Sequence, residues 1–233
     1  MPAAPATGNT KAHPRGIRSF VLRQGRMSPA QQRACNELLP RYGIAPDAAF
    51  DWTAIFGRAA PVVLEIGFGM GETTAAIAAA QPDVDFVGVE MHLPGVGALL
   101  RRLDAAAITN VRVIREDAVA VVERIATGSL AGIHVYFPDP WPKKRHHKRR
   151  LLNPRFVHAL ALRLARSGYL HVATDWQPYA EEILATLCAE PLLANTCDGF
   201  APRPAWRPLT KFEQRGIARG HAVFDMLFTK RPA

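Results

Sequence analysis

The stretch VVLEIGFGMGE at residues 62–72 predicts a buried strand, a glycine-rich turn and the start of a helix, in that order. Val62–Ile66 is a short apolar run rich in β-branched residues, which is typical of a strand covered on both faces. The alanine-rich stretch Glu72–Ala80 predicts the helix that follows. A strand that passes through glycines into a helix is the usual first unit of a ligand-binding α/β domain.

Beyond this unit, predicted strands and helices keep alternating along the chain. The further strands fall at residues 86–89, 111–114, 133–137 and 168–174, and the helices at 94–107, 118–126, 153–166 and 178–187. A late strand is predicted at 223–228, at or near an edge of the sheet. This order predicts a Rossmann-like α/β fold, a doubly wound and mostly parallel sheet with helices on both faces and one late antiparallel strand.

Length and composition limit the domain organisation and the class of protein. The 233 residues, 48% of them hydrophobic, suffice for one well-packed domain. Residues 1–16 are basic, rich in Ala, Pro and Thr and without apolar periodicity, so we expect a disordered tail before a single domain at 17–233. No apolar stretch reaches the roughly 18 residues of a membrane span, and the N-terminus lacks a secretory signal, which predicts a cytoplasmic protein. The three cysteines are scattered, which predicts reduced thiols and no metal site.

Five carboxylates lie at, or just beyond, the predicted carboxyl ends of the five strands before the late one. They are Glu65, Glu90, Asp117, Asp139 and Asp175. Open α/β sheets bind their ligands in the crevice outside these strand ends. We therefore expect the five acids to lie on one rim and to border a small-molecule site.

The glycine turn favours a cationic cofactor over a dinucleotide. Gly67, Gly69 and Gly71 have the spacing GxGxG, whereas the dinucleotide fingerprint GxGxxG needs a glycine where this chain has Glu72. A carboxylate at that helix N-terminus would repel a pyrophosphate, which disfavours NAD. S-adenosyl-L-methionine carries no phosphate and has a positive sulfonium, so it fits better. A purely structural turn is the alternative.

The neighbouring acids suggest how such a cofactor is held. Glu65 supplies negative charge near its positive end, and Glu90 is placed to accept hydrogen bonds from the two ribose hydroxyls. Asp117 is placed to accept from the adenine amino group, beside the backbone N–H of Ala118. All four are predicted cofactor-binding residues, together with the three glycines.

The segment FPDPWPKKRHHKRR at 137–150 joins a rigid acidic turn to a dense run of cations. Pro138 and Pro140 restrict the backbone on either side of Asp139, which suggests a carboxylate that must be held still. The cations are Lys143, Lys144, Arg145, Lys148, Arg149 and Arg150. With a net charge of +9 for the whole chain, they favour a polyanionic partner such as RNA, although a solvated face would have the same composition.

Six stretches together resemble the bacterial tRNA (guanine-N7)-methyltransferases, which are class I methyltransferases dependent on S-adenosyl-L-methionine. The stretches are SFVLRQGR (19–26), LEIGFGMGE (64–72), VGVEMHLPGVGALL (87–100), FPDPWPKKRHHKRR (137–150), ATDWQPYAE (173–181) and RPLTKFEQRGIARGH (207–221). The combination of FPDPW, the basic run and TKFEQRG is highly specific. Pro142 and Lys144 depart from the family's basic motif but spare Asp139 and Lys143.

The resemblance implies methylation of a guanosine in the tRNA variable loop, and it implies roles for particular residues. Glu65, Glu90, Asp117 and Asp139 would contact the cofactor. Asp139 would also be the catalytic residue. The implied substrate-binding residues are Lys143, Asp175, Thr210, Lys211, Phe212 and Glu213. The implied RNA-binding residues are Arg145, His146, His147, Lys148, Arg149 and Arg150.

The chemistry of guanine N7 sets what these residues have to do. N7 already has a free lone pair, so no general base is needed, and Asp139 is predicted to orient the base and balance its developing positive charge. Asp139, Asp175 and Glu213 are also candidates to accept the guanine N1–H and N2–H groups. The alternatives are that Asp139 only forms a turn, that Asp175 caps the next helix, and that Glu213 pairs with Lys211 or Arg215 on the surface.

Two other functions stay open at the level of sequence. Asp139-Pro140-Trp141 is similar to the acidic-Pro-Pro-aromatic motif of amino methyltransferases, but it lacks the second proline, so a different base atom is one alternative. A tRNA-binding module without catalysis is the other, although the intact acidic rim argues against it. The sequence does not decide between a monomer and a homodimer.

Overall fold

The computed structural model describes residues 25–45, 48–210, 213–214, 216, 220 and 222–232. The strands are β1 Val62–Ile66, β2 Asp85–Val89, β3 Val111–Ile114, β4 Leu130–Tyr136, β5 Leu164–Thr174, β6 Leu193–Asn195 and β7 Phe224–Lys230. The helices are α1 Pro29–Tyr42, α2 Trp52–Phe56, α3 Glu72–Ala80, α4 Leu93–Ala105, α5 Ala118–Arg124, α6 Pro154–Arg163 and α7 Gln177–Ala189, with a 3-10 helix at Lys144–Arg149. The predicted tail at 1–16 lies outside the described residues.

All of these strands form one sheet in the order β3-β2-β1-β4-β5-β7-β6. Strands β1 to β5 pair in parallel, and β7 runs antiparallel to both β5 and β6. The late strand therefore lies one position in from the edge, as predicted. Chain order reverses direction between β1 and β4, and the parallel strands end on a single rim, so a crevice opens at this switch point.

Alternate residues of β1 feed two separate cores. Val62, Leu64 and Ile66 pack with α5, α6 and α7 on one face of the sheet. Val63 packs on the other face with α1, α3 and α4. Because both faces are covered by helices, all five residues of β1 are buried. The doubly wound, Rossmann-like fold expected from the alternation is confirmed.

Several predicted boundaries are off by a few residues, and the largest error lies at one junction: the helix expected to reach residue 166 ends at Arg163, and the strand expected from residue 168 starts at Leu164. Leu164 instead pairs with Leu130 of β4, and the next pair joins Gly132 to Tyr169, so extra residues of β5 bulge out of the ladder. Lys230 secures the junction, because its Nζ donates to the backbone oxygen of Leu164 at 2.7 Å. The local sequence favours a longer helix, but the helix ends at Arg163 because Leu164 pairs with β4.

Helix α1 was not predicted, although its start signal is in the sequence. Ser28 and Gln31 form a capping box, in which each side chain accepts from the other's backbone N–H. The Gln31 amide also donates to the oxygen of Pro94 at 2.9 Å, which ties α1 to the start of α4. A Cβ on Gly97 would lie 2.7 Å from the Gln31 oxygen, so the two helices can pack this closely only through a glycine.

The part of the chain that the structure describes has neither a membrane-spanning helix nor a cluster of metal-ligating side chains. Among the helices of the described ranges, none has the length and apolarity to cross a bilayer. The same residues contain no group of three or more His, Cys, Asp or Glu side chains arranged to hold a metal ion. Cys35, Cys188 and Cys197 are all free thiols.

Candidate active site

A cavity of about 220 Å³ opens at the switch point, between the carboxyl ends of the parallel strands. Five of the predicted cofactor residues line it, namely Gly67, Glu90, Asp117, Ala118 and Asp139. They arrive from β1, β2, β3 and β4, since each follows the end of one of these strands or begins the next helix. Of the five carboxylates expected on this rim, Glu90, Asp117 and Asp139 border the cavity, whereas Glu65 and Asp175 are not among its lining residues.

The glycine turn adopts backbone conformations that side chains disfavour. Gly67, Gly69 and Gly71 have φ values of +76°, +56° and +70°. A Cβ on Gly71 would also lie 2.6 Å from the Cβ of Leu99 on α4. Gly71 is not among the cavity-lining residues, so its role is to let α3 begin against α4. This packing is independent of a contact between Gly71 and a cofactor, which stays a prediction.

Gly95 of α4 allows the glycine turn to pack closely against this helix, a role that was not predicted from the sequence. A Cβ at this position would lie 2.1 Å from the carbonyl oxygen of Gly69. On its other side, the Gly69 N–H donates to Glu90 Oε2 at 3.0 Å. The turn is therefore fixed between the start of α4 and the carboxylate that follows β2.

Glu90 is oriented by three backbone donors. Its Oε2 accepts from Gly69, and its Oε1 accepts from the N–H groups of Met91 at 2.7 Å and His92 at 2.8 Å. A carboxylate offers about four acceptor sites. One site is left for a ligand, so Glu90 can accept from both ribose hydroxyls only if a backbone donor is shared or released.

Asp117 has both a local role and a side facing the cavity. Its Oδ1 accepts from the N–H of Val119 at 3.0 Å, which caps α5. Asp117 and Ala118 both line the cavity beside Glu116. The cap fixes the orientation of the Asp117 side chain beside the cavity, and its contact with adenine stays a prediction.

Glu65 lies behind the cavity rather than on its wall. It is buried within β1, it is absent from the lining, and its Oε2 makes no hydrogen bond to the described residues. Burial, opposed by the interaction with Thr74 and assisted by the nearby charge of Glu90, raises the pKa of this carboxyl from 4.5 to about 7. Any action of Glu65 on a cofactor is therefore electrostatic and depends on its protonation.

Glu65→Gln should remove a pH dependence from the free energy of unfolding. Between about pH 4.5 and 7 the native carboxyl holds a proton that the unfolded chain has lost, so wild-type stability falls as pH rises through this window. The slope is about 1.4 kcal/mol per pH unit, and it should be absent from the variant. Urea unfolding of both proteins between pH 4 and 8.5 measures the difference, and parallel curves would mean that folding does not raise the pKa of Glu65.

The turn that carries Asp139 is held in a strained conformation. Phe137 and Trp141, which flank the Pro-Asp-Pro sequence, have φ values of +51° and +45° in the left-handed region. The Phe137 N–H donates to the oxygen of Ala173 at 2.7 Å, which ties the start of the turn to β5. Asp139 is exposed at the cavity mouth. The predicted rigid placement of this carboxylate agrees with the geometry.

Most of the predicted RNA-binding residues form the 3-10 helix, with their charges toward solvent. Arg145, Lys148 and Arg149 are exposed, as is Lys143 just before the helix, and the two histidines are half-buried. Arg149 lies over the ring of Trp141, with its Cζ 4.9 Å from the ring centre. The helix therefore presents a basic surface next to the Asp139 turn.

Arg150 departs from this pattern because its side chain is directed into the protein, and its contact with RNA stays a prediction. Its side chain is 3% exposed and forms an ion pair with Glu182 of α7. Its Nε donates to the oxygen of Pro140 at 3.0 Å, and its guanidinium lies over the ring of Tyr179. Arg150 anchors the Asp139 turn from inside, because its donors are already directed at protein groups.

Four of the six predicted substrate residues are among those that the structure describes. Asp175 is half-buried just beyond β5, and the N-cap of α7 is Trp176, without a side-chain cap bond. The alternative that Asp175 caps α7 is therefore wrong. Lys143 is exposed near the Asp139 turn, whereas Lys211 and Phe212 lie outside the described residues.

Thr210 and Glu213 form a capping box that the sequence reading overlooked. The Glu213 N–H donates to Thr210 Oγ1 at 3.1 Å, and the Thr210 N–H donates to Glu213 Oε2 at 3.0 Å. The other Glu213 oxygen accepts from Arg207 at 2.6 Å. Glu213 is 1% exposed, so the alternative that it pairs with Lys211 or Arg215 on the surface is wrong, and its contact with the substrate stays a prediction.

Comparisons with known proteins agree with this geometry. A family model described as "Putative methyltransferase" matches residues 59–226. The tRNA (guanine-N(7)-)-methyltransferase of Aromatoleum aromaticum is 57% identical over 99% of this chain and 92% of its own length. That of Paraburkholderia xenovorans is also 57% identical, over 100% of this chain and 90% of its own length.

Solved structures share the fold at much lower identity. The 16S rRNA methyltransferase KamB matches with a TM-score of 0.58 and 17% identity, over 79% of this chain and 94% of its own. A putative methyltransferase from Thermoplasma acidophilum matches with a TM-score of 0.50 and 18% identity, over 82% and 77%. These likenesses extend to the fold alone. The identity to the curated relatives extends over nearly the whole of both sequences, and the chain therefore belongs to the tRNA (guanine-N(7)-)-methyltransferase family.

Proposed function

We propose that the chain transfers the methyl group of S-adenosyl-L-methionine to N7 of a guanosine in the variable loop of tRNA. Methylation of guanine N7 in tRNA follows from the identity to relatives that carry this name over the full chain. The observation in the fold that supports the chemistry is the acidic cavity beside a basic surface helix. The variable loop is the more specific part of the proposal, and a cytoplasmic location follows from a tRNA substrate.

The cavity lining fits S-adenosyl-L-methionine better than a dinucleotide. Its described residues include four carboxylates, those of Glu90, Glu116, Asp117 and Asp139, and no Lys, Arg or His. Such a lining attracts a cation and repels a pyrophosphate. When bound, the cofactor supplies a methyl group made electrophilic by the sulfonium charge. Gly67, Glu90, Asp117 and Ala118 would hold its nucleoside, with Glu65 acting through its charge.

Asp139 then has the task of orienting the base and balancing its charge. Guanine N7 needs no deprotonation, so the protein must mainly align it with the methyl group. The methylated base is positive, and a carboxylate held still at the cavity mouth stabilises that charge without reorganising. The strained turn, the Phe137 N–H bond and the Arg150 contact together hold Asp139 in this place.

The remaining assignments concern the RNA. Lys143, Asp175 and Thr210 are exposed or half-buried and remain proposed substrate contacts, as do Lys211 and Phe212. The proposed RNA-binding residues of the basic helix are Arg145, His146, His147, Lys148 and Arg149. We assign Arg150 and Glu213 to support of these contacts, because both are buried and paired within the protein.

Mass spectrometry of nucleosides tests the reaction. Purified protein, methyl-labelled cofactor and bulk tRNA lacking the modification are incubated, and the tRNA is digested to nucleosides. The proposal predicts labelled 7-methylguanosine. A label on an exocyclic amine would favour the amino methyltransferase alternative, and tRNA binding without any label would favour an inactive binding module.

Substitutions in the basic helix should change the salt dependence of RNA affinity, whereas a substitution at Arg150 should not. Each lost phosphate contact reduces the slope of log affinity against log salt by roughly 0.7–0.9. Replacing Lys148 and Arg149 together by alanine should flatten the slope by about 1.4–1.8 and cost about 1 kcal/mol of stability at most, from the lost contact of Arg149 with the Trp141 ring. Arg150→Ala should leave the slope unchanged and cost roughly 1–3 kcal/mol of stability.

Fluorescence anisotropy with labelled tRNA at several salt concentrations, combined with thermal unfolding, measures both effects. The Arg150→Ala protein serves as the control, since it removes one positive charge from the position next to the two that are replaced. A slope that falls equally in both proteins would mean that Arg150 turns outward onto RNA. A slope that falls in neither would mean that the basic helix faces away from the RNA.

A further inference from the structure

A buried polar network joins the wall of the cavity to the Thr210–Glu213 turn. Arg207 is its centre and is 1% exposed, although it is one of the largest side chains in the protein. Its Nε and one terminal nitrogen donate to the two oxygens of Asp225 on β7, both at 2.9 Å. The other terminal nitrogen donates to Glu213 at 2.6 Å. The guanidinium thus connects the sheet to the turn.

The network continues from Asp225 to the cavity. His171 Nε2 lies 2.8 Å from Asp225 Oδ1, and its Nδ1 lies 3.0 Å from the hydroxyl of Tyr136. Burial lowers the pKa of His171, which favours a neutral ring that donates to Asp225 and accepts from Tyr136. Tyr136 and Phe137 line the cavity, and the Cζ of Arg207 is 5.9 Å from the centre of each ring.

Stability alone is a weak reason for such a network. A buried ion pair loses the solvation of both charges, and well-packed apolar residues often stabilise a core as much or more. A forked guanidinium that binds one carboxylate with two nitrogens and a second with the third does fix the mutual orientation of the groups it joins. Here those groups are the strand next to β5 and the turn that carries Thr210.

We propose that Arg207 is a positioning residue for the RNA substrate. Acting through Glu213, it sets the Thr210 turn against the cavity wall formed by Tyr136 and Phe137, and it touches neither the nucleic acid nor the cofactor. The inference rests on the proposed function, because it assigns the turn to tRNA. It also gives Glu213 a task that explains its burial, which is to transmit the position of Arg207 to Thr210.

Arg207→Lys is the most informative change. Lysine keeps the charge but has a single nitrogen, so it cannot bind Asp225 twice and reach Glu213 as well. The loss of these charge-assisted bonds should raise the KM for tRNA by roughly 10–100-fold, with kcat changed much less and cofactor affinity within about twofold. Steady-state kinetics with tRNA and calorimetry with S-adenosyl-L-methionine give the three quantities.

Arg58→Lys is the matched control. Arg58 also binds a buried carboxylate with two nitrogens, Nε and Nη2 to Asp85 Oδ1 at 3.0 and 2.6 Å. Asp85 is the first residue of β2, so this pair lies at the amino ends of the parallel strands, whereas the cavity lies at their carboxyl ends. The control should lose stability and keep its KM for tRNA, which separates positioning from a general loss of stability.

Glu213→Gln provides a second route if the lysine variant does not fold. It keeps the shape of the side chain and its bond to the Thr210 N–H but weakens the link to Arg207, so tRNA affinity should fall with cofactor binding retained. Thr210→Val combined with Arg207→Lys should then be less than additive in KM. Unchanged KM in Arg207→Lys, or equal losses of cofactor and tRNA affinity, would overturn the inference. A wild-type protein that makes no 7-methylguanosine would instead refute the proposed function.

Discussion

Asp139→Asn is expected to lower kcat for methyl transfer by about 100-fold while tRNA affinity stays close to that of the wild type. The side chain keeps its size and its place in the strained Pro-Asp-Pro turn, and only its negative charge is removed. Since guanine N7 needs no base, the loss should come from poorer stabilisation of the charge that develops on the ring. Single-turnover rates with saturating cofactor and tRNA measure the chemical step directly.

Glu116→Gln is the control for this experiment. Glu116 also lines the cavity, but its carboxylate forms an ion pair with Arg124. If only the total negative charge of the cavity mattered, the two variants would lose similar activity. Asp139→Asn with wild-type turnover and normal tRNA binding would contradict the role that we assign to Asp139.

Gly95→Ala is expected to weaken cofactor binding by roughly 10–100-fold. The new Cβ would lie 2.1 Å from the oxygen of Gly69, so the glycine turn must move away from α4 and disturb the Gly69 bond to Glu90. Overpacking of this kind costs about 1–3 kcal/mol, and here the strain falls on the cofactor turn. Isothermal titration with S-adenosyl-L-methionine measures the loss.

Gly97→Ala is the matched control, since it makes the same change two residues along the same helix. Its Cβ would lie 2.7 Å from the Gln31 oxygen of α1 instead of the cofactor turn. Both variants should unfold at lower temperature, but only Gly95→Ala should lose cofactor affinity. Equal affinities in the two folded variants would mean that the turn adapts without cost and does not define the site.

The parts of the fold that could be predicted are those in which the local sequence determines burial. Strands β1 and β3 have the predicted bounds, because apolar runs that end at glycines or charges occur where a parallel strand is covered on both faces. The junction of α6 and β5 could not be predicted. It depends on Leu164 pairing with Leu130, which is 34 residues away in the chain, and no local signal marks it.

The residues of the site that could be predicted are those whose place follows from the end of a strand. Glu90, Asp117 and Asp139 were found because each follows a strand end, and the topology then brings them together. Arg150 could not be distinguished from the cations before it, because only the fold places Glu182 and Tyr179 beside it. The capping box of Thr210 and Glu213 could have been predicted, because the sequence contains its pattern T-x-x-E. That pattern predicts that Glu213 binds the backbone of Thr210.

A tRNA transcript with 7-deazaguanosine in place of the variable-loop guanosine tests the central claim most directly. This substitution replaces N7 with carbon and leaves the N1–H and N2–H groups of the base in place. With methyl-labelled S-adenosyl-L-methionine, we predict that the unmodified transcript is labelled, that the substituted transcript is not, and that both bind equally well. Equal labelling of the two transcripts would contradict methyl transfer to N7 at this position.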